Sequence, residues 1–330
     1  MDPKGTNLIY SANAFDEFGY SVDIKDGGEV IAIGSPGEHS SNGLINDSGA
    51  VRVYKWGSTA RRWEQVEDVI EGTESNGRFG HSVALSQVGI IAIGAPHAYG
   101  HIGEVVMVHY NATDAAWKAS GPIERDEAFK AGDKFGYSVS VSFDGSTVAV
   151  GAPRHKGNGS SAKKLSGAVT VHKFDQTLSM WKQLGGEIIG SNAGDESGTS
   201  IHLSDDGTEV AIGASFSSKG NMQSGCITVY RWMRETRWDV MDMHMDGKTA
   251  FSNLGTSVAL SGNGEHVMGG APTEGYVTVY QLTRTASPSS SPTREPSETG
   301  SGGGKGASSI RVIFNIAIAG LVMFGAHFVL

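Results

Sequence analysis

Phe135-Gly136-Tyr137-Ser138, followed by Gly151-Ala152-Pro153, decides the fold, because the chain carries this pair of landmarks in five versions. The other four openings are Phe18-Gly19-Tyr20-Ser21, Phe79-Gly80-His81-Ser82, Ser197-Gly198-Thr199-Ser200 and Leu254-Gly255-Thr256-Ser257. The other four second landmarks are Gly34-Ser35-Pro36, Gly94-Ala95-Pro96, Gly213-Ala214-Ser215 and Gly270-Ala271-Pro272. Successive opening glycines lie 61, 56, 62 and 57 residues apart, a period typical of propeller blades or solenoid turns.

Each repeat contains runs with strand-like alternation, which predict four strands that we term A to D. In the third repeat, strand A starts at Ser138, strand B ends at Val150, strand C covers 169–172 and strand D begins near Trp181. In four repeats Asp-Gly or Asn-Gly stands midway between strands A and B, which predicts a tight hairpin with both turn residues at positive φ. The unit from the opening serine to the second landmark spans 14 residues in four repeats and 13 in the second, so we expect one register throughout.

The Phe-Gly openings and Gly-Ala-Pro landmarks resemble the FG-GAP repeat, over roughly residues 7–282. The resemblance implies an all-β propeller of four-stranded antiparallel blades, like that of integrin α subunits, which binds extracellular ligands or partners through loops on one face. That family usually has seven blades, whereas five repeats are seen here. The last repeat lacks a tryptophan-led strand D, and residues 7–11 match the end of one, so they are expected to close the ring. A fragment lacking two blades is the alternative.

The composition divides the chain into three parts: a propeller over 1–282, a Ser/Thr/Pro/Gly-rich disordered linker or stalk over 283–309, and an apolar segment over 310–330. The apolar segment predicts one C-terminal hydrophobic helix. Small residues, a short polar spacer and an apolar tail also form the pattern of a GPI-anchor signal, with Ser301, Gly302 and Gly303 as attachment candidates. A retained transmembrane helix is the alternative.

The net charge of −9 argues against a nucleic-acid partner, which would require a basic surface. Three glycosylation sequons, at Asn46, Asn111 and Asn158, fall in predicted loops and indicate an extracellular location. Residues 1–10 lack the apolar core of a signal peptide, which favours a tail-anchored propeller facing the cytosol. The sequons, the stalk and the resemblance favour the cell surface, and we expect that location.

Few residues in the sequence indicate a catalytic or metal-binding site. Gly80-His81-Ser82-Val83-Ala84 resembles a nucleophile elbow, but the serine recurs in all five repeats and is therefore expected to be structural. His97 and His101 stand four residues apart without an evident third metal ligand. The weak calcium candidates lie in the A–B hairpins, where a two-residue turn is too short to wrap the ion. They are Asp23, Asp26, Asp205 and Asp206. We therefore predict no catalytic residue and no resident metal or cofactor.

The loops between strands B and C vary most between repeats, and such loops often carry binding. The third is basic on an acidic chain, which predicts contact with an acidic polysaccharide or partner. The candidate ligand residues are Arg154, His155, Lys156, Lys163 and Lys164, together with His97 and His101. The sequence thus predicts a non-enzymatic, membrane-anchored cell-surface or adhesion module for an extracellular protein or glycan. The alternatives are a cytosol-facing scaffold propeller and a hydrolase-associated propeller.

Overall fold

A computed structural model describes residues 9, 13–25, 27–123, 129–157, 164–233 and 236–282. These residues form five antiparallel sheets, one for each repeat. Blade one contains β1 Ser21–Ile24, β2 Val30–Ser35, β3 Ala50–Gly57, β4 Arg62–Gln65 and β5 Ile70–Glu71. Blade two contains β6 Ser82–Leu85, β7 Ile90–Ala95, β8 Glu104–Asn111 and β9 Ala116–Ala119. Blade three contains β10 Ser138–Val141, β11 Thr147–Ala152, β12 Ala168–Asp175, β13 Met180–Gln183 and β14 Ile188–Ile189.

Blade four contains β15 Ser200–Leu203, β16 Glu209–Ala214, β17 Cys226–Met233 and β18 Arg237–Asp246. Blade five contains β19 Ser257–Leu260, β20 His266–Ala271 and β21 Tyr276–Gln281. The only helical segments in the described residues are a 3-10 turn at Ala14–Asp16 and a single helical turn, α1, at Ala98–His101. The predicted all-β propeller with five blades is therefore confirmed.

The predicted register is also confirmed, because each opening serine lies opposite the glycine of the second landmark. The five pairs are Ser21 with Gly34, Ser82 with Gly94, Ser138 with Gly151, Ser200 with Gly213 and Ser257 with Gly270. This register puts the start of strand A beside the end of strand B. The D–A loops and the B–C loops therefore lie at the same edge of every blade, which we term the loop face.

The hairpin turn differs from the prediction in its conformation. Gly145 has a φ of 69°, but Asp144 is not among the residues with positive φ, so only one turn residue is left-handed. The Gly145 N–H donates to the carbonyl of Ser142, and the Ser142 N–H donates to the carbonyl of Thr147. Four residues therefore lie inside the loop, as in hairpins built around a type I turn. The Asp144 carboxylate stabilises this turn by accepting hydrogen bonds from the hydroxyls of Ser142 and Ser146.

The opening serines join successive blades, which confirms their structural role. The four bonds run from Ser21 Oγ to the Gly80 carbonyl, from Ser82 to Gly136, from Ser138 to Gly198 and from Ser200 to Gly255, over 2.7–2.9 Å. The second landmark needs glycine for the same reason. A Cβ on Gly213 would lie 2.0 Å from the carbonyl oxygen of Gly255. We term each such blade-to-blade contact a seam.

Apolar side chains fill the seams and form the core. Between blades three and four, Val169 and Val171 of β12 pack with Ile201 and Leu203 of β15. Phe135 of the opening motif is 1% exposed, and Leu254 at the equivalent position of the fifth repeat is 0% exposed. Burial of such large apolar groups is the main source of stability in a fold of this kind.

The predicted linker over 283–309 and the hydrophobic segment over 310–330 lie outside the residues that the structure describes, as do residues 7, 8, 10 and 11. Among the described residues, no helix has both the length and the apolar character needed to cross a membrane.

Candidate functional site

The D–A loop carries the same strained residue in each blade, two positions before the opening glycine. These residues are Glu17, Arg78, Lys134, Glu196 and Asn253, with φ of 54°, 57°, 61°, 51° and 55°. In each case the carbonyl accepts a hydrogen bond from the N–H three residues later, which closes a tight turn. Non-glycine residues in this left-handed region cost about 1–2 kcal/mol each. The repeated strain places five long or polar side chains at the loop face, at the start of the innermost strands.

Three rings stack across blades one to three beside these residues. The ring centroids of Tyr20 and His81 lie 4.9 Å apart, and those of His81 and Tyr137 lie 4.7 Å apart. Burial lowers the pKa of His81 to about 3, so this imidazole is neutral at physiological pH. Since the Tyr137 carbonyl can only accept, the Nδ1 of His81 donates to it over 3.1 Å. The Nε2 then accepts from the Tyr20 hydroxyl over 3.2 Å.

Cationic side chains surround this stack. The Arg78 guanidinium lies 5.7 Å from the centroid of the Tyr20 ring, and Lys134 Nζ lies 5.6 Å from that of Tyr137. Burial lowers the pKa of Lys134, and the positive charge of Arg154 lowers it further. We term Arg78, Lys134 and Arg154 the basic cluster. Arg78 forms an ion pair with Glu17 of blade one, whereas Lys134 and Arg154 form none with a described residue.

Two predicted ligand residues lie beside the basic cluster. His97 and His101 belong to the B–C loop of blade two, and their ring centroids are 4.5 Å apart. The carbonyl of His101 accepts hydrogen bonds from the N–H groups of Gly132 and Lys134, which joins this loop to blade three. Burial, followed by the charge of Lys134, lowers the pKa of His97 to about 4. His97 is therefore neutral at physiological pH.

A buried ion pair holds the loops of Lys134 and Arg154 next to each other. The Nδ1 of His155 lies 2.7 Å from Asp133 Oδ2, and its Nε2 lies 3.5 Å from Glu187 Oε2. Asp133 precedes Lys134 and His155 follows Arg154, and the Arg154 N–H donates to the Asp133 carbonyl over 3.3 Å. Burial would lower the pKa of His155, but the hydrogen bonds to Asp133 and Glu187 outweigh it and raise that pKa to about 9. The imidazolium thus ties the B–C loop of blade three to its D–A loop.

The prediction that His155 contacts a ligand needs correction, because this side chain is 1% exposed. Its loop looks uniformly basic in the sequence, but the acidic partners of His155 come from two other loops of the same blade. Lys156 and Lys164 are exposed, and their contact with a ligand stays a prediction. Lys163 and the sequon residue Asn158 lie outside the described residues. Of the other sequons, Asn46 is exposed and Asn111 is half-buried at the end of β8.

A comparison with family models bears on the third repeat. A family model described as the FG-GAP repeat matches residues 129–169, which include the third opening, its second landmark and the basic cluster residues Lys134 and Arg154. The five blades carry the same landmarks in the same register. The chain is an FG-GAP-type propeller. No curated protein sequence matches it.

Solved structures match the chain at low sequence identity. The periplasmic gluconolactonase of Pseudomonas aeruginosa matches with a TM-score of 0.50 and 13% identity, over 76% of this chain and 64% of that one. A candidate 6-phosphogluconolactonase from Bacteroides uniformis matches at 0.47 and 11%, over 80% of each chain. Hydrazine synthase from Kuenenia stuttgartiensis matches at 0.47 and 12%, over 79% of this chain and 70% of that one. At such identities, the likeness to the gluconolactonase indicates the fold alone.

The described calcium candidates of the FG-GAP-type propeller make hydrogen bonds within the fold. Asp23 accepts hydrogen bonds from the N–H groups of Ile24 and of Leu85 in the next blade, over 2.8 and 2.6 Å. Burial raises the pKa of Asp23 to about 6. Asp206 accepts from the Ser204 hydroxyl in its turn, and the backbone of Asp205 bridges blades three to five. Asp26 lies outside the described residues, and within them no three acidic, histidine or cysteine side chains are arranged to hold a metal ion.

The sequence analysis missed Arg78 and Lys134, because it looked for ligand-contacting residues only in the B–C loops. An alignment of the five openings would have shown that both cations stand at the same position, two residues before the opening glycine. Their proximity to Arg154 was not available there, because it depends on how three loops pack at the loop face.

Proposed function

We propose that this FG-GAP-type propeller is a membrane-anchored binding module of the cell surface that recognises an acidic protein or glycan at its loop face. The observation that carries the proposal is the basic cluster. Lys134 and Arg154 lie beside each other without an ion pair to any described residue, in a chain of net charge −9. Two adjacent cations repel each other, and a bound anion would add to the partial compensation that Glu196 already supplies.

The side chains of the cluster suit carboxylate or sulfate groups. The Arg154 guanidinium is planar and can donate two parallel hydrogen bonds to such a group, while Lys134 adds a point charge beside it. The Glu196 carboxylate of this chain already lies within reach of the charges of Arg154 and Lys134, so an acidic group is compatible with the basic cluster. Burial raises the pKa of Glu196, whereas the charges of Arg154 and Lys134 lower it. A ligand carboxylate or sulfate would experience the same two attractions.

Binding accounts for the site better than catalysis does. The hydroxyls of the opening motif at Ser82 and Ser138 already donate to the next blade, so they are not available as nucleophiles. His81 is held between two tyrosine rings and stays neutral because burial lowers its pKa to about 3. The groups that remain exposed at the loop face, Arg154 and His101 among them, are suited to contact.

The binding test compares two double variants of the full chain in detergent micelles. Lys134→Glu with Arg154→Glu reverses two of the three charges of the basic cluster. Lys55→Glu with Arg237→Glu changes the net charge equally, at exposed positions near the opposite edge of the blades. Against a panel of sulfated, uronate and neutral polysaccharides, the cluster variant should lose at least about ten-fold in affinity for the acidic polymers, with little change in the control. Equal losses in both variants, or none in the cluster variant, would contradict the proposal.

The cell-surface part of the proposal rests on the apolar segment over 310–330, the stalk-like linker over 283–309 and the exposed sequon at Asn46. Treatment of the full chain from a eukaryotic host with an N-glycan-removing enzyme should lower its apparent mass, and Asn46→Gln should reduce that shift. An unmodified chain would favour the cytosol-facing alternative. An unmodified chain would not bear on the recognition of acidic ligands, which the binding test decides.

A further inference from the structure

Three of the five D–A loops carry a buried aspartate immediately before the strained residue. They are Asp16, Asp133 and Asp195. In blade three the imidazolium of His155 lies beside this acid, 2.7 Å from the Asp133 Oδ2. In blade one the corresponding cation is Arg52. Hydrogen bonds to Glu38 raise the pKa of Arg52, and the charge of Asp16 also contributes. A cationic side chain of the same blade thus compensates the buried acid in both cases.

Blade four repeats the acid but not the cation. The Asp195 Oδ2 accepts a hydrogen bond from the Asn192 N–H over 2.8 Å, just as the Asp133 Oδ2 accepts one from a loop N–H three residues earlier. The position of His155, four residues after the glycine of the second landmark, belongs to Ser217 in this blade. A serine has no ring that could reach the carboxylate, so Asp195 lacks the cation that Asp133 has.

A cavity lies where the imidazole would be. It is lined by Asp195, Ser217, Lys219, Cys226, Thr228 and His244, among others. Ser217 is 1% exposed, and its hydroxyl has no hydrogen-bond partner among the described residues. His244 stands at the strand position that corresponds to Glu187, the second partner of His155. The cavity therefore occupies the same place between the same positions as the ring of His155.

The size and the mouth of the cavity limit what can enter it. There is room for about one water-sized group. The side chains of Lys219 and His244 are exposed, so the cavity opens to solvent at the loop face. A ligand that fits must present a compact head to the interior, and any larger part of it must remain at the mouth.

The charges around the cavity favour a cationic head. Burial raises the pKa of the Cys226 thiol, and the charges of Asp195 and Asp246 raise it further although the Ser217 hydroxyl lowers it. Burial, followed by the charge of Lys219, lowers the pKa of His244, so this imidazole is neutral at physiological pH. Two carboxylates thus face one exposed ammonium group, which solvent screens. Within the described residues, Lys219 makes no ion pair with either carboxylate.

We propose that this cavity binds a primary ammonium group, the head of a small alkylamine, in the place that the imidazolium of His155 fills in blade three. The ammonium group donates hydrogen bonds to the Asp195 carboxylate and to the Ser217 hydroxyl, and the alkyl chain leaves through the mouth beside Lys219. A water molecule could satisfy the hydroxyl but would not neutralise the buried carboxylate. The inference rests on the cavity in blade four and not on the ligand proposed for the basic cluster.

Isothermal titration calorimetry of the full chain in detergent micelles tests this assignment at neutral pH and constant ionic strength, with the titration into protein-free micelles subtracted. The probe is butylammonium. Tetramethylammonium carries the same charge on a larger head without N–H groups, and butanol carries the same alkyl chain without a charge. Butylammonium should bind at least about ten-fold more tightly than either of the two.

Two variants locate the binding in the cavity. Asp195→Asn removes the charge, and Ser217→His supplies the ring that fills the same place in blade three. Each should weaken the binding of butylammonium at least about ten-fold. Asp47→Asn is the matched control, because Asp47 is an exposed acid in the B–C loop of blade one, and it should leave the affinity unchanged. Circular dichroism checks that each variant keeps its fold.

Two results would overturn the inference. A wild-type chain that binds butylammonium no better than tetramethylammonium or butanol would mean that water or the side chain of Lys219 occupies the cavity. An affinity that is unchanged in Ser217→His and in Asp195→Asn, or that falls equally in Asp47→Asn, would mean that the amine binds elsewhere on this acidic chain.

Discussion

The Nδ1 of His155 lies 2.7 Å from the Asp133 Oδ2, and this buried contact joins the two loops that carry Arg154 and Lys134. The side chains of both partners are less than one tenth exposed, so neither finds water if the other is removed. The contact therefore links the stability of blade three to the geometry of the basic cluster. Arg154 is exposed and Lys134 is half-buried, but the His155 side chain that joins their loops lies in the interior.

Replacing His155 should destabilise the propeller strongly. His155→Gln removes the imidazolium between Asp133 and Glu187, and breaking a buried ion pair by removing one partner costs about 3–5 kcal/mol. The matched control is His39→Gln, because His39 lies 3.4 Å from Asp47 with both side chains about half exposed. An exposed pair of this kind contributes at most about 1 kcal/mol. Denaturant unfolding at pH 6 measures both losses, and equal losses would contradict the structural role of His155.

The same pair predicts a pH dependence of stability. The hydrogen bonds to Asp133 and Glu187 raise the pKa of His155 to about 9 from 6.5. The folded state therefore holds a proton that the unfolded state has lost between these values, and stability falls as pH rises through that window. The stabilisation is complete below about pH 6.5 and is lost above about pH 9. The difference in unfolding free energy between the wild type and His155→Gln should narrow across this window, and a constant difference would contradict the assignment.

The opening serines should contribute to stability only where a seam exists. The Ser200 hydroxyl is buried and donates to the Gly255 carbonyl over 2.7 Å, so Ser200→Ala should cost about 1–3 kcal/mol. Ser257 occupies the same motif position in blade five, but its hydroxyl makes no hydrogen bond to a described residue. Ser257→Ala should therefore change the unfolding free energy by less than about 0.5 kcal/mol. Chemical denaturation at low protein concentration compares the two, and a cost at Ser257 equal to that at Ser200 would mean that the fifth seam is closed.

The aromatic opening residue should tolerate one particular replacement. Phe135 is 1% exposed, so Phe135→Ala should cost about 3–5 kcal/mol through the cavity it leaves. Phe135→Leu should cost less than about 1.5 kcal/mol, because Leu254 fills the equivalent position in the fifth repeat at 0% exposure. Thermal and chemical unfolding distinguish the variants. A leucine as damaging as alanine would show that the seams at Phe79 and Phe135 need a ring at this position.

Much of the fold was predictable because the repeated residues are those that make the seams. Gly213 recurs as a landmark because a Cβ there would collide with the next blade, and Ser200 recurs because its hydroxyl bonds to that blade. Both reasons apply in the first four repeats, so the sequence pattern records them. The conformation of Asp144 was not predictable from the Asp-Gly pair, since the loop length depends on a bond between the Ser142 N–H and the Thr147 carbonyl.

The candidate site was predictable only in part, since it depends on packing between loops distant in the sequence. Arg154 was identified from its basic loop, whereas Lys134 approaches it only because Asp133 and His155 pair. The exposure of Val22 and Val279 could not be predicted either. Their residue types are those of a closed seam, and only the arrangement of the blades leaves them exposed.

The measurement that tests the central claim most directly is the affinity of the full chain for a sulfated polysaccharide and for its unsulfated counterpart, at increasing salt. If the basic cluster recognises anions, the sulfated polymer should bind at least about ten-fold more tightly at low salt, and the preference should decline as salt screens the charges. Equal binding of both polymers, or a preference unaffected by salt, would contradict recognition of acidic ligands by Lys134 and Arg154.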